Sequence, residues 1–421
     1  MLEHYFVRPM TVDRLRGLWL GPALDRYAEW LSDRQISRAS ALFKLQTAVQ
    51  FDRFVTARHV CGFEELPAHV DAFVEEWSRT RGCRGQTAKN RRWHRTAPRA
   101  SIEELLRLVV PGYVGTNRRH PWPLQGLAPG FLEHLCDERG LRRPTLQGYE
   151  HHLRVFERFL PSAGIVDWST LTPEIVNRFV LTSTEGLSPG ARRGRAGALR
   201  VLLRFLHRQG LITRDLSRAI PRGRTYKQAA IPRAIAWSEV ERVLASIDRR
   251  SAGGKRDYAM LMLLATYGLR AQEVAALTLP AIDWPRAQFH VLGRKAGNST
   301  TYPLAAPVGE AIRDYLQNGR PQSADRHVFL RQQAPFSGLG GGFAVAHRAT
   351  LALRRAGITI HRAGSHTFRH SCVQRLVDAD VPFKQIGDYV GHRSGETTQI
   401  YAKVAVHKLR ALTLGAAEDM L

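Results

Sequence analysis

At 421 residues the chain is too long for one ordinary core, so two or three domains are expected, and a hydrophobic share of 44% is that of a soluble globular protein. Lys and Arg outnumber Asp and Glu 62 to 37, a formal charge of +25 that favours a polyanionic partner, nucleic acid before an anionic membrane. No run approaches the roughly 18 apolar residues of a membrane span, the opening MLEHYFVRPMTVDRLRG is not expected to be a signal peptide, and Cys61, Cys83, Cys136 and Cys372 lack C-x-x-C spacing and read as reduced thiols of a cytoplasmic protein.

Residues 1–115 are expected to form a helical domain. Leu31, Ile36, Leu42, Leu45, Val49, Phe51 and Phe54 recur at helical spacing, and Leu66-Pro67 opens a further segment with Val70, Phe73 and Val74. From Ser78 to Ser101 there is no acid, while Arg79, Arg81, Arg84, Lys89, Arg91, Arg92, Arg95 and Arg99 surround Trp93 and His94. Two readings stand for this run, an arm laid along phosphates or a solvated basic linker. Pro111-Gly112 and Pro121-Trp122-Pro123 mark a boundary.

A second helical domain is expected over 125–220, and it echoes the first. Phe51-Asp52-Arg53-Phe54-Val55 returns as Phe156-Glu157-Arg158-Phe159-Leu160 at an offset of 105, and Phe73-Val74 as Phe179-Val180 at 106. Trp30 to Asp33 echoes His134 to Asp137 at 104, so the near-constant offset reads as a duplicated small domain. The last helix of the second copy, Pro189 to Gly210, sets an apolar stripe of Val201, Leu202, Phe205 and Leu206 against Arg192, Arg193, Arg195, Arg200, Arg204 and Arg208. Such a helix either enters a DNA groove or is an ordinary basic surface helix, and crowding of the cations toward one end favours the groove. Residues 221–234, with Pro221, Arg224 and Lys227, read as a basic linker able to strap a duplex.

The last domain is expected over 235–421. Ser238 with Glu241 reads as a capping box, and an apolar helix, Tyr258 to Tyr267, stops at Gly268, which sets Arg270 just past a buried helix end. Gln288 to Leu292 and Thr300 to Leu304 read as paired strands around Lys295, and Gly338 to Gly342, lacking G-K-[ST], as a flexible connection. In Ser365 to Tyr401 the residues His366, Arg369 and His370 share a helix face, Gly391 ends a helix ahead of His392, and Tyr401 follows. A zinc reading of the two histidines fails, because Thr367 stands where H-E-x-x-H needs its glutamate.

H-x-x-R-H, then G-H, then a tyrosine nine residues later resembles the second half of the tyrosine recombinase (phage integrase) signature, and Thr266-Tyr267-Gly268-Leu269-Arg270-Ala271-Gln272-Glu273 resembles its first arginine box. The family's hairpin lysine fits Lys295, whose distance to Pro303 suits it better than that of the adjacent Arg294. Phe368 departs from the common leucine of H-x-L-R-H, and the extra helical copy departs from the minimal two-domain recombinase, looking more like recombinases borne by transposable elements.

The resemblance implies a mainly α, multidomain chain: N-terminal helical, SAM-like core-binding domains, then a mixed α+β catalytic domain with a small antiparallel sheet. It implies that Tyr401 attacks the scissile phosphate, Arg270 and Arg369 grip its non-bridging oxygens, and Lys295 protonates the leaving 5′-oxygen. His366 acts as base toward Tyr401 or hydrogen-bonds the phosphate, His392 adds a donor, Glu273 buttresses Arg270 or a neighbouring histidine, and His370 is structural. DNA contacts are expected from Arg192, Arg193, Arg195, Arg200, Arg91, Arg92, Arg224 and Lys227. No metal or other cofactor is implied. The partner is double-stranded DNA, met as a homotetramer or with sister recombinases, and no membrane is involved. Two other readings remain, a type IB topoisomerase-like enzyme and an accessory DNA-binding protein. The target sequence and the direction of reaction are not legible.

Overall fold

The computed structural model describes residues 1–81, 88–115, 122–221, 234–292 and 299–391; for Arg81 and residues 88–92 it describes the backbone alone. The chain divides into two compact units, Thr116–Ala229 by itself and Met1–Gly115 together with Ala230–Leu421. Within the latter, residues 1–110 and residues from Ile235 onward each bury their own apolar cluster. No described helix is long and apolar enough to cross a membrane.

The first helices are α1 (Leu2–Tyr5), α2 (Pro9–Arg16), α3 (Gly21–Asp33), α4 (Arg38–Thr56), α5 (Leu66–Arg81) and α6 (Ala88–Val109). The Ser37 hydroxyl caps α4 by accepting the Ser40 N–H at 3.4 Å. Apolar residues of α3, α4, α5 and α6 meet in one core, with Phe51, Phe54 and Phe73 at its centre. Asp52 is buried beside them and accepts the Leu20 N–H at 2.8 Å, and burial pushes its carboxyl above the usual range.

The unit 116–229 contains α7 (Phe131–Glu133), which runs into a π-helical turn, then α8 (Arg143–Ser162), α9 (Pro173–Thr184) and α10 (Pro189–Arg208). Pro173 and Pro189 open their helices where a missing N–H costs nothing, and the Thr172 and Ser188 hydroxyls cap them. α10 buries Leu199, Leu202, Leu203, Phe205 and Leu206, so the stripe read from the sequence is real but turned by one position, since Val201 is only half-buried.

The remaining elements are α11 (Trp237–Ala245), α12 (Ala252–Tyr267), α13 (Ala271–Ala275), β1 (Ile282–Asp283), β2 (Gln288–Val291), β3 (Thr300–Pro303), α14 (Ala306–Asn318), α15 (Gly342–Arg355), α16 (Ser365–Asp378) and α17 (Phe383–Val390). The strands form one antiparallel sheet in the order β1-β2-β3, with Phe289 opposite Tyr302 and Val291 opposite Thr300. β2 and β3 are the pair expected around Lys295; β1 adds a short strand too brief for periodicity to show.

Two local expectations are corrected. The start of α11 is held by Glu239, whose carboxylate accepts the Ala236 N–H at 3.1 Å, so the helix begins at Trp237 ahead of the Ser238–Glu241 pair. The Gly338 to Gly342 run is tied down: the Gly338 N–H donates to Asp325 at 2.8 Å and the Gly342 N–H to Gln272 Oε1 at 2.7 Å. Gly342 is needed there, since an added Cβ would lie 2.6 Å from the Gln272 nitrogen.

Asp325 also accepts the His327 N–H at 2.8 Å, and these backbone bonds bring its carboxyl down to about 2. A carboxylate with a depressed folded pKa contributes stability above its unfolded value near 3.9, and loses it as pH falls toward about 2. Asp325→Asn should therefore lower the unfolding free energy by about 1–3 kcal/mol at neutral pH, with the deficit shrinking as urea melts are moved below about pH 4.

Candidate active site

The structure builds its candidate site where three helix ends converge. α12 ends at Gly268, whose φ of 59° is the left-handed conformation glycine adopts without cost. An added Cβ there would press on Val390, Cys372 and Arg369, at 3.1, 3.4 and 3.6 Å. The chain turns through buried Leu269 and sets Arg270 at the start of α13. Glu273, one turn on, accepts the Arg270 backbone N–H at 2.8 Å with one carboxylate oxygen and its guanidinium at 2.8 Å with the other. Of the two partners the sequence leaves open for Glu273, the arginine or a neighbouring histidine, these two bonds go to the arginine.

Arg270 also donates to the carbonyl of Gly391 at 3.0 Å. Arg369, on α16, reaches the same place from the other side. It is 5% exposed and donates to the carbonyls of Gly268 and, at 2.8 Å, Val390. The two guanidiniums therefore meet on successive carbonyls at the C-terminal end of α17. The last carbonyls of a helix have no partners within it and carry the negative end of its dipole, which suits cations. Gly391, at φ 67°, ends that helix in the left-handed conformation. His392 is the next residue in the chain.

His366 occupies the first turn of α16 and is exposed, while His370 is half-buried one turn on, their rings 6.3 Å apart. Arg369 points inward between them in sequence, so the three do not present one uniform face: one is solvent-facing, one half-covered and one buried. Lys295, His392, Tyr401, Arg224 and Lys227 lie outside the described residues.

Sequence reasoning missed a group of tyrosines that joins these pieces. The Tyr267 hydroxyl donates to the Pro303 carbonyl at 2.8 Å and accepts the Ala305 N–H at 2.8 Å, tying the end of β3 to α12. Tyr302, on β3, donates to the Tyr389 carbonyl, and Tyr389, on α17, donates to the Thr266 carbonyl at 3.1 Å. The rings of Tyr302 lie 5.3 and 5.4 Å from those of Tyr267 and Tyr389. One signal was available: Tyr267 closes an apolar run, where a buried hydroxyl must find a partner. Burial raises the Tyr267 and Tyr389 hydroxyls above the ordinary phenol range and pushes the Cys372 thiol up to about 12, so these groups brace the site and are poor nucleophiles at neutral pH.

The arginines of α10 separate into two sets. Arg192 and Arg193 are exposed near its start, as are Arg204 and Arg208 farther on. Arg195 is 8% exposed and donates to the Ser183 carbonyl, so it belongs to the interior of its unit and is withdrawn from the surface set. Its position recurs on the apolar stripe, where the sequence pattern counted charge and not facing. Arg200 is half-buried and donates to the Ile220 and Pro221 carbonyls at 3.4 and 2.8 Å, holding the chain where the linker begins. Arg91 and Arg92 lie within α6, and Trp93 beside them is 49% exposed.

Removing a buried donor leaves carbonyls without a partner, which costs more than removing a partly exposed one. Arg369→Ala should destabilise the protein by about 2–4 kcal/mol, and Arg270→Ala, whose side chain is 28% exposed, by about 1–2 kcal/mol, measured by urea unfolding. Equal losses would contradict this account of the clamp.

The Phage integrase family model matches residues 233–408, and that for the phage integrase N-terminal SAM-like domain matches residues 129–210. A Sinorhizobium fredii protein provisionally named integrase/recombinase y4rF is 30% identical over 98% of this chain and 95% of its own length. Its fellow y4rA is 37% identical over 70% of this chain and 72% of its own, and tyrosine recombinase XerD of Mycobacterium tuberculosis is 32% identical over 68% and 96%. Among solved structures, XerH bound to a palindromic difH substrate matches with a TM-score of 0.54 over 94% of both chains at 16% identity, and the Tn1549 transposon integrase with 0.51 over 67% and 98% at 15%. Those structural likenesses speak for the fold, while among the sequence relatives y4rF extends over nearly the whole chain. The chain belongs to the phage integrase family, the tyrosine-type site-specific DNA recombinases.

Proposed function

We propose that this protein cuts and rejoins double-stranded DNA through a 3′-phosphotyrosine on Tyr401, without metal or nucleotide. The observation that carries the reading is the convergence of Arg270 and Arg369 on the carbonyl end of α17, which His392 follows in the sequence. Two guanidiniums on one helix end concentrate positive charge that a phosphodiester can use when its phosphorus becomes pentacoordinate.

The balance of the step is simple. Tyr401 gives up its phenolic proton to His366, or to water held there, and its oxygen bonds to phosphorus. The 5′-oxygen leaves and takes a proton from Lys295. Energy of the broken phosphodiester is kept in the phosphotyrosine, so a 5′-hydroxyl can reverse the step on the same or another strand. His392 supplies a further donor, and imidazole is the side chain suited to proton exchange at neutral pH.

The substrate class follows from the charge of +25 and from the relatives. The Tn1549 integrase is described in complex with transposon right end DNA, and XerH with its difH substrate. We assign this chain to the integration, excision or transposition of a mobile element. It acts as a tetramer on DNA or with sister recombinases, with Arg192, Arg193 and the linker residues Arg224 and Lys227 on phosphates.

Nicked suicide duplexes cut from the DNA flanking the gene test this. Wild-type protein should form a denaturant-resistant protein–DNA adduct; Tyr401→Phe should bind the same duplex and form none. An adduct with the variant would overturn the assignment of the nucleophile. Lys295→Ala should slow adduct formation by roughly 10²-fold or more, as expected for loss of a general acid.

A further inference from the structure

The two helical stretches ahead of the catalytic residues share more than amphipathic helices must. α8 begins 105 residues after α4, and the single 3-10 turns that follow them, Phe63–Glu65 and Trp168–Thr170, also stand 105 apart. The ring centroids of Phe51, Phe54 and Phe73 are separated by 6.5, 5.2 and 5.4 Å; those of Phe156, Phe159 and Phe179 by 6.4, 4.8 and 5.2 Å.

A hydrogen bond repeats as well. Asp52 accepts the backbone N–H of Leu20 at 2.8 Å, and Glu157, its counterpart, accepts that of Leu124 at 2.8 Å. The next helical bond follows in both, Leu24 N–H to Leu20 carbonyl at 2.8 Å and Ala128 N–H to Leu124 carbonyl at 2.7 Å. Apolar periodicity alone does not call for a carboxylate that reaches back 32 or 33 residues to one particular amide.

α6 and α10 also correspond, at a step of 97. Pro98, Arg99, Ser101, Ile102, Leu105 and Leu106 are buried, and so is each residue 97 further on. In the same register Arg95 matches Arg192 and Arg107 matches Arg204, all four exposed.

We infer that residues 20–110 are a second copy of the DNA-binding helical domain, and that the leading turns of α6 form a second duplex-DNA contact outside the core site. α6 begins one turn earlier than α10 does in this register, and its first two turns bring Arg91, Arg92 and Arg95 into a stretch free of acids from Ser78 to Ser101. Arg79 is exposed near the end of α5, which packs on α6, and exposed Trp93 follows Arg92 in the sequence. This chemistry fits the phosphate backbone of duplex DNA, read by charge with an aromatic face beside it. The inference rests on the recombinase reading for its substrate, but it names a separate contact.

The test uses the full-length protein with two duplexes, one trimmed to the core around the cleaved phosphate and one extended on both sides. Wild-type protein should bind the long duplex roughly ten- to a hundredfold more tightly. Arg91→Glu/Arg92→Glu/Arg95→Glu should bind both alike, with the slope of log affinity against log salt reduced by about 2 to 3 on the long duplex. The milder Gln triple should move the same way, and both variants should keep the wild-type rate of adduct formation on the core duplex. A length preference retained by both variants, or absent from the wild type, would overturn the second contact and leave the recombinase reading intact. Failure of the wild type to bind either duplex would overturn both.

Discussion

Two guanidiniums satisfied by helix-end carbonyls draw α12, α13, α16 and α17 together. Arg369 joins the end of α12 to the end of α17, and Arg270 joins the start of α13 to the residue after α17. Each arginine thus bonds the backbone of the other's neighbourhood. A backbone carbonyl is a neutral acceptor, so these bonds fix the guanidinium planes without cancelling their charge, which remains to act on an anion. Glu273 tempers one of the two with its carboxylate and in return fixes its direction.

The rest of the unit reads as support for that arrangement. Gly268 and Gly391 turn left-handed where the two carbonyl ends must face the arginines. Tyr267, Tyr302 and Tyr389 bridge the sheet, α12 and α17, so the strands flanking Lys295 are tied to the helix end that receives the arginines. Ser371, on α16, accepts the Ile235 N–H at 2.9 Å and donates to its carbonyl at 3.0 Å, which fastens the entering chain to the helix that bears His366 and Arg369. Precise placement of this kind is worth orders of magnitude in rate.

Much of this was legible in residues whose chemistry forces their setting. Gly268 after an apolar run marks a helix end, and the alternating Phe289, Val291 and Tyr302 mark strands with one buried face. The spacing of Arg270 and Glu273 made their pairing one of two readings, and the carboxylate does meet the guanidinium. What sequence could not show was facing. Arg195 and Arg192 look alike in a list of cations, yet three residues on a helix separate a buried side chain from an exposed one. Nor does any local pattern reveal that Arg369 bonds Gly268, 101 residues away. The duplication was visible as a repeated spacing, and the paired carboxylate bonds of Asp52 and Glu157 give it a physical content that spacing lacks.

The central claim is that Arg270 and Arg369 neutralise a scissile phosphate. It is tested most directly by removing the charge from the phosphate instead of from the protein. Arg270→Ala should cleave an ordinary suicide duplex roughly 10²–10³-fold more slowly than wild type. On a duplex whose scissile phosphate is a neutral methylphosphonate, the variant should recover most of that loss relative to wild type. A variant equally impaired on both substrates would contradict the account, and would assign Arg270 to holding the fold and not the phosphate.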